Sequence, residues 1–161
     1  MANIVKDSSN RVYQNPAKLL LLIPIGTIIF IYLFDIIFLK FNEYRIKKVT
    51  TDVIVSTLDH EQFSSELALE EYVQRKFQEE GFNDDNLKTG IVIHDKYMVI
   101  TATYSFFSLR GYVFSKDAHA TTVLLGYYDE YKKPVVENYT NGQEIPSSNY
   151  YIFENNDIKV D

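Results

Sequence analysis

The sequence predicts an α+β protein: a long N-terminal helix that starts in a membrane and continues out of it, a second helix, and a small antiparallel β-sheet. Three observations predict this. Leu19–Leu39 reads LLLLIPIGTIIFIYLFDIIFL, 21 residues with one ionisable side chain, Asp35. No Gly or Pro interrupts the chain between Gly26 and Gly81, and apolar residues recur there at helical spacing. Beyond Gly81 the apolar period shortens toward two, with aromatic and β-branched residues in runs.

The apolar stretch is predicted to be a transmembrane helix. About 20 such residues cross a hydrocarbon core of roughly 30 Å. A buried helix of a small soluble domain would carry a polar face, and this one has none. A cleaved signal peptide has a shorter apolar core, about 7–15 residues, ending at small side chains. Here the run ends in Lys40-Phe41-Asn42-Glu43-Tyr44, so an uncleaved anchor is expected. Pro24 lies one turn inside, where it removes a backbone hydrogen bond and is expected to bend the helix.

The same helix is expected to run on as a stem. Phe41, Tyr44, Ile46, Val49, Val53 and Ile54 keep the spacing, with charged residues between them. Asp59-His60-Glu61-Gln62 has the form of a capping box for a second helix, with Phe63, Leu67, Leu69, Tyr72, Val73 and Phe77 as its apolar stripe. Glu71 and Arg75 are placed to pair along that helix, and Gly81 is a natural stop. Asn83-Asp84-Asp85-Asn86 is turn chemistry. Strands are expected at Ile91–His94, Tyr97–Phe107 and Ala118–Tyr128, with Asp95-Lys96 as a hairpin tip and Ser108–Ser115 as a connection. Val135–Tyr139 and Tyr150–Phe153 are candidates for edge strands in an otherwise irregular tail. The layout is thus a short segment, 1–18; a span, 19–39; a stem, 40–58; an α+β domain, 59–128; and a polar tail, 129–161.

Composition excludes several functions. There is no Cys, which removes disulfides and thiol chemistry. Residues 1–40 hold Lys6, Arg11, Lys18 and Lys40 against Asp7 and Asp35, so the net charge of −6 leaves −8 on residues 41–161. An acidic domain repels phosphate backbones, and no nucleic-acid partner is expected. His60, His94 and His119 are not spaced as metal ligands. No G-x-S-x-G, S-x-x-K, P-loop or dinucleotide motif occurs, so no catalytic, cofactor or metal residue is assigned and no enzyme is expected. The basic residues flanking the span nearly balance, and charge alone does not choose its orientation.

The candidate functional residues are few. Asp35 is a carboxylate inside an apolar span, which costs about 2.5–3.5 kcal/mol at mid-membrane on insertion scales. Two readings stay open: an assembly contact with a basic group on a neighbouring span, or an interfacial group wetted or paired with Lys40. Nine of the 13 Tyr lie between Tyr97 and Tyr151. Tyr127, Tyr128 and Tyr131, just past the third strand, are the candidate partner surface, since Tyr joins apolar area to one polar handle.

The order of these features resembles the TadE/TadG-like family, pseudopilin-like minor components of tight-adherence (Flp-type) pili. Pro24 and Asp35 stand eleven residues apart, then come Arg45, Lys47 and Lys48, then Asp52. Val99-Ile100-Thr101-Ala102-Thr103-Tyr104-Ser105-Phe106, then Leu109 and Ala118–Leu125, is similar to the family's paired strands. The sequence departs from the family at its processing site: residues 1–18 contain no Gly, and position 18 is Lys. The resemblance implies a cytoplasmic N-terminus, an extracytoplasmic domain in the cell membrane, and action by assembly with other single-span proteins, with Pro24, Asp35 and Asp52 as assembly residues. The alternative is a membrane-tethered ligand-binding or sensor module.

Overall fold

The computed structural model describes residues 16–59, 66–114, 117–144 and 149–152. Helix α1 runs from Pro16 to Asp59 without a break, 44 residues or about 66 Å. It divides into two environments. From Leu22 to Leu33 the helix is almost entirely bare, with Ile23, Ile28 and Phe30 among the exposed side chains. From Ile46 to Leu58 one face is sealed, with Ile46, Val49, Val53, Ile54 and Leu58 all buried. The first half is long and apolar enough to cross a membrane.

The sealed face lies on a four-stranded antiparallel meander, β1 (Leu87–His94), β2 (Tyr97–Phe106), β3 (Ala118–Tyr128) and β4 (Pro134–Asn138), in that spatial order. Period-two alternation sends Met98, Ile100, Ala102 and Phe106 of β2, with Ala120, Leu124 and Tyr128 of β3, against α1. The intervening Val99, Leu125 and Tyr127 form a smaller cluster on the outer face with Tyr97, Val123, Val135 and Tyr139. Three polar side chains on the helix are buried without loss, each bonding back one turn: Asn42 donates to the Phe38 carbonyl, Thr50 to Ile46 and Thr57 to Val53, at 2.8–2.9 Å.

The second helix, α2 (Glu66–Glu79), closes the core with Leu69, Val73 and Phe77. Its end is tied to the stem, because Arg45 donates to the Glu80 carbonyl and stacks 4.5 Å over Phe82. Gly81 (φ +80°) makes the left-handed turn that stops it. Asn83 then caps a short 3-10 turn at Asp84–Asn86. Rings continue the connection: Phe77 meets Phe82 at 5.4 Å, and Phe82 meets Tyr104 at 4.9 Å, both edge-on.

Several expectations need correction. Asp59 is the last residue of α1; positions 60–65, with the rest of the expected capping box and Phe63, lie outside the described residues. Arg75 faces Glu79 at 3.9 Å, where a pair with Glu71 was expected. Strand β1 starts four residues earlier than its apolar run, at Leu87, because pairing to Tyr104 extends it. The connection after β2 contains a third helix, α3 (Leu109–Phe114). The tail supplies β4, while Ile152 is outside any strand but buried in the core, its N–H donating to the Asp95 carbonyl at 2.8 Å; Phe153 lies outside the described residues.

Where the sheet meets the stem, one position has no room for a side chain. A Cβ on Gly126 would stand 2.2 Å from Ile54 Cγ2 and 3.3 Å from Met98 Cγ. Ile54 is β-branched and helical, so its methyl has little rotational escape. Gly126→Ala should therefore destabilise the domain by about 1–3 kcal/mol. Ile54→Ala, itself a core truncation costing about 2–5 kcal/mol, should add less than its full cost on top of Gly126→Ala, seen as sub-additive losses in thermal unfolding of the detergent-solubilised chain. Additive losses would show that the crowding is relieved elsewhere.

Candidate functional site

The site that the fold builds lies where α1 leaves its bare half. Asp35 is only 2% exposed. Its carboxylate accepts three hydrogen bonds: from the Leu109 N–H at 2.8 Å, the Arg110 N–H at 2.9 Å and the Arg110 Nε–H at 3.0 Å. The Arg110 guanidinium also stacks 4.9 Å from the Tyr32 ring, one turn below Asp35. Ser108 supplies the remaining cap, its Oγ accepting the Gly111 N–H at 2.8 Å. The first four N–H groups of a helix, counted from its cap, have no partner within it. Here three of them are taken, two by Asp35 and one by Ser108.

The local sequence explains the arrangement. Ser108 is a good N-cap residue. Asp35 supplies a charge at the α3 N-terminus, where a carboxylate is favoured. Phe38, one turn above Asp35, meets Phe106 edge-on at 5.4 Å and so sets the end of β2 against α1. The rings run on down the span: Phe34 lies 5.9 Å from Phe38, and Phe30 6.3 Å from Phe34.

Within the chain Asp35 has a partner that neither reading named, and it is not Lys40, which pairs instead with Glu43 at 2.6 Å. The partner is Arg110, 75 residues on in the same chain. Asp35 thus positions α3 on α1.

The other candidates are scattered. Pro24 sits on the bare half of α1. Asp52 is exposed and lines a cleft of about 150 Å³ between α1 and α2, with Ser56, Lys76, Glu79 and Glu80. There Lys76 and Glu79 pair at 2.8 Å, which raises the lysine's pKa and lowers the carboxylate's, in each case first through the hydrogen bond.

The three tyrosines do not make one surface. Tyr127 and Tyr128 are consecutive strand residues and point to opposite faces. Tyr128 is buried against α1 and donates to the Leu58 carbonyl. Tyr127 is buried in the outer cluster and donates to Glu137 at 2.9 Å. Burial, reinforced by that carboxylate, pushes the Tyr127 phenol up. Tyr131 alone is open, at 72% exposed, in the β3–β4 turn. It remains the candidate surface residue of the three.

Among the described residues no group of three or more His, Cys, Asp or Glu is placed to hold a metal ion. No protein-family model matches the chain, and no curated protein or solved structure matches it either.

Proposed function

We propose that this chain is a membrane-anchored structural component of a pilus or secretion apparatus, similar to a minor pseudopilin of TadE/TadG type, acting by assembly with other single-span proteins and not by catalysis. In this reading residues 19–39 cross the cell membrane once, with the N-terminus cytoplasmic and the domain outside. One observation carries it. A single unbroken helix has one half built into the core of a domain and the other half bare and apolar. Such a helix presents a rigid rod for lateral packing against other spans, with its domain held at a set distance. The TadE/TadG resemblance supplies the direction across the membrane.

The second reading is a ligand-binding or sensor module; the α1–α2 cleft among the described residues, at about 150 Å³, is smaller than the roughly 300–1,000 Å³ common for small-molecule sites.

The chain has no Cys, so single cysteines can be placed at will. Cysteines from Leu22 to Leu33, modified with a benzophenone maleimide and irradiated in native membranes, should crosslink to other single-span polypeptides at every third or fourth position, the period of one helix face. Absence of any periodic crosslink would argue against lateral assembly. Orientation is read separately from Ser9→Cys and Ser147→Cys with an impermeant maleimide on intact cells. Label at Ser147 only is expected, and label at Ser9 only would reverse the topology.

A further inference from the structure

We propose that the β2–β3 connection, residues 107–114, is a second membrane contact of this chain: a short wedge seated in the lipid interface beside the span. The proposal rests on the reading of residues 19–39 as a transmembrane segment, and its partner is the bilayer itself.

Depth is the first argument. Lys18 marks the near limit of the apolar run, and about 20 residues are needed to cross the hydrocarbon. The span therefore extends to about Phe38 or Leu39. Asp35 lies four residues inside that end and Tyr32 seven, about 6 and 10 Å at 1.5 Å per residue. Tilting the helix by about 20° shortens these depths by only about 6%. Yet the backbone of Leu109 stands 2.8 Å from the Asp35 carboxylate, and the Arg110 guanidinium stands 4.9 Å from the Tyr32 ring. The chain cannot keep these contacts and hold α3 clear of the bilayer.

Polar satisfaction is the second argument. Backbone groups at membrane depth must find partners within the protein. The leading donors of α3 have them, from Asp35 and Ser108. The two charges at this level cancel each other in one ion pair.

The third argument is the surface offered. Phe107, beside this joint, is 63% exposed. The segment reads Phe-Ser-Leu-Arg-Gly-Tyr-Val-Phe, with one charge in eight residues and three aromatic rings, the composition favoured where water meets lipid. Arg110, with 41% of its side chain exposed, has its charge met at this depth by the Asp35 carboxylate and its guanidinium covered on one side by the Tyr32 ring.

The chain has no Trp, which gives a clean probe. Three single variants of the full-length chain, Phe107→Trp, Ile28→Trp and Tyr131→Trp, are reconstituted in phosphatidylcholine vesicles brominated on the acyl chains. Bromine is placed near the glycerol in one set and near the chain end in the other. Phe107→Trp should emit to the blue of Tyr131→Trp and lose most of its emission to the shallow bromines. Ile28→Trp should be quenched by the deep ones, and Tyr131→Trp by neither. Quenching of Ile28→Trp with none at Phe107→Trp would overturn the wedge and leave the span standing. Quenching of neither would overturn both.

Discussion

Phe77→Ala is expected to cost the domain about 3–5 kcal/mol, the range for removing a fully buried aromatic ring. Phe77 is completely buried, and it begins the ring contacts that reach through Phe82 and Tyr104 to β2. Its loss opens a cavity where α2, the stem and the sheet meet. For a domain of about 100 residues this lowers the thermal midpoint by more than about 10 °C, measured by circular dichroism on the detergent-solubilised chain. Leu67→Ala on the same helix is the control, because Leu67 is exposed and its loss should change stability by under about 0.5 kcal/mol. Equal shifts in the two variants would mean that α2 is not part of the core.

Asp35→Ala should release α3 from α1. The substitution removes an acceptor of three hydrogen bonds and leaves Arg110 without its carboxylate. Breaking a buried ion pair from one side costs about 3–5 kcal/mol. Arg110 is partly open and rehydrates, so the low end, about 3 kcal/mol, is expected. At 1.4 kcal/mol per tenfold, amide exchange at Leu109 and Arg110 should accelerate by more than about a hundredfold. Asp35→Asn keeps a carbonyl acceptor but not the charge, and should fall between. Membrane level should not drop in either variant, since removing a carboxylate from an apolar helix favours insertion. Unchanged exchange at Leu109 and Arg110 would show that the carboxylate does not hold α3.

What could be read ahead of the structure followed period and local chemistry. Leu19–Leu39 announces itself by length and composition. Ala118–Tyr128 has the bounds that its β-branched and aromatic run suggests, and the Asp95-Lys96 turn sits where polarity interrupts two apolar runs. Gly81 stops α2 for a backbone reason that needs no tertiary information. The site was legible only in half. An acid in an apolar span signals an unmet need, but its answer lies 75 residues away, and no local pattern points to it. Six residues are under two turns, too few to show a helical period, and Gly111 argues against a helix, so α3 reads as a loop. Ser108 was the available clue, as a capping residue before an apolar stretch. The tyrosine cluster failed for a simpler reason. Tyr127 and Tyr128 are adjacent in sequence, and a strand sends such neighbours to opposite sides.

The unbroken run of α1 has a mechanical consequence. Nothing between Gly26 and Asp59 supplies a hinge, so the domain cannot turn independently of the segment below it. The 21 residues from Leu39 to Asp59 form an arm of about 30 Å. A tilt of about 20° in the lower half, within the range that bilayer thickness imposes, swings the far end sideways by about 10 Å. Membrane thickness and the crowding of neighbouring spans would then set where the Tyr131 end of the domain points, and a small displacement among lipids would arrive there enlarged.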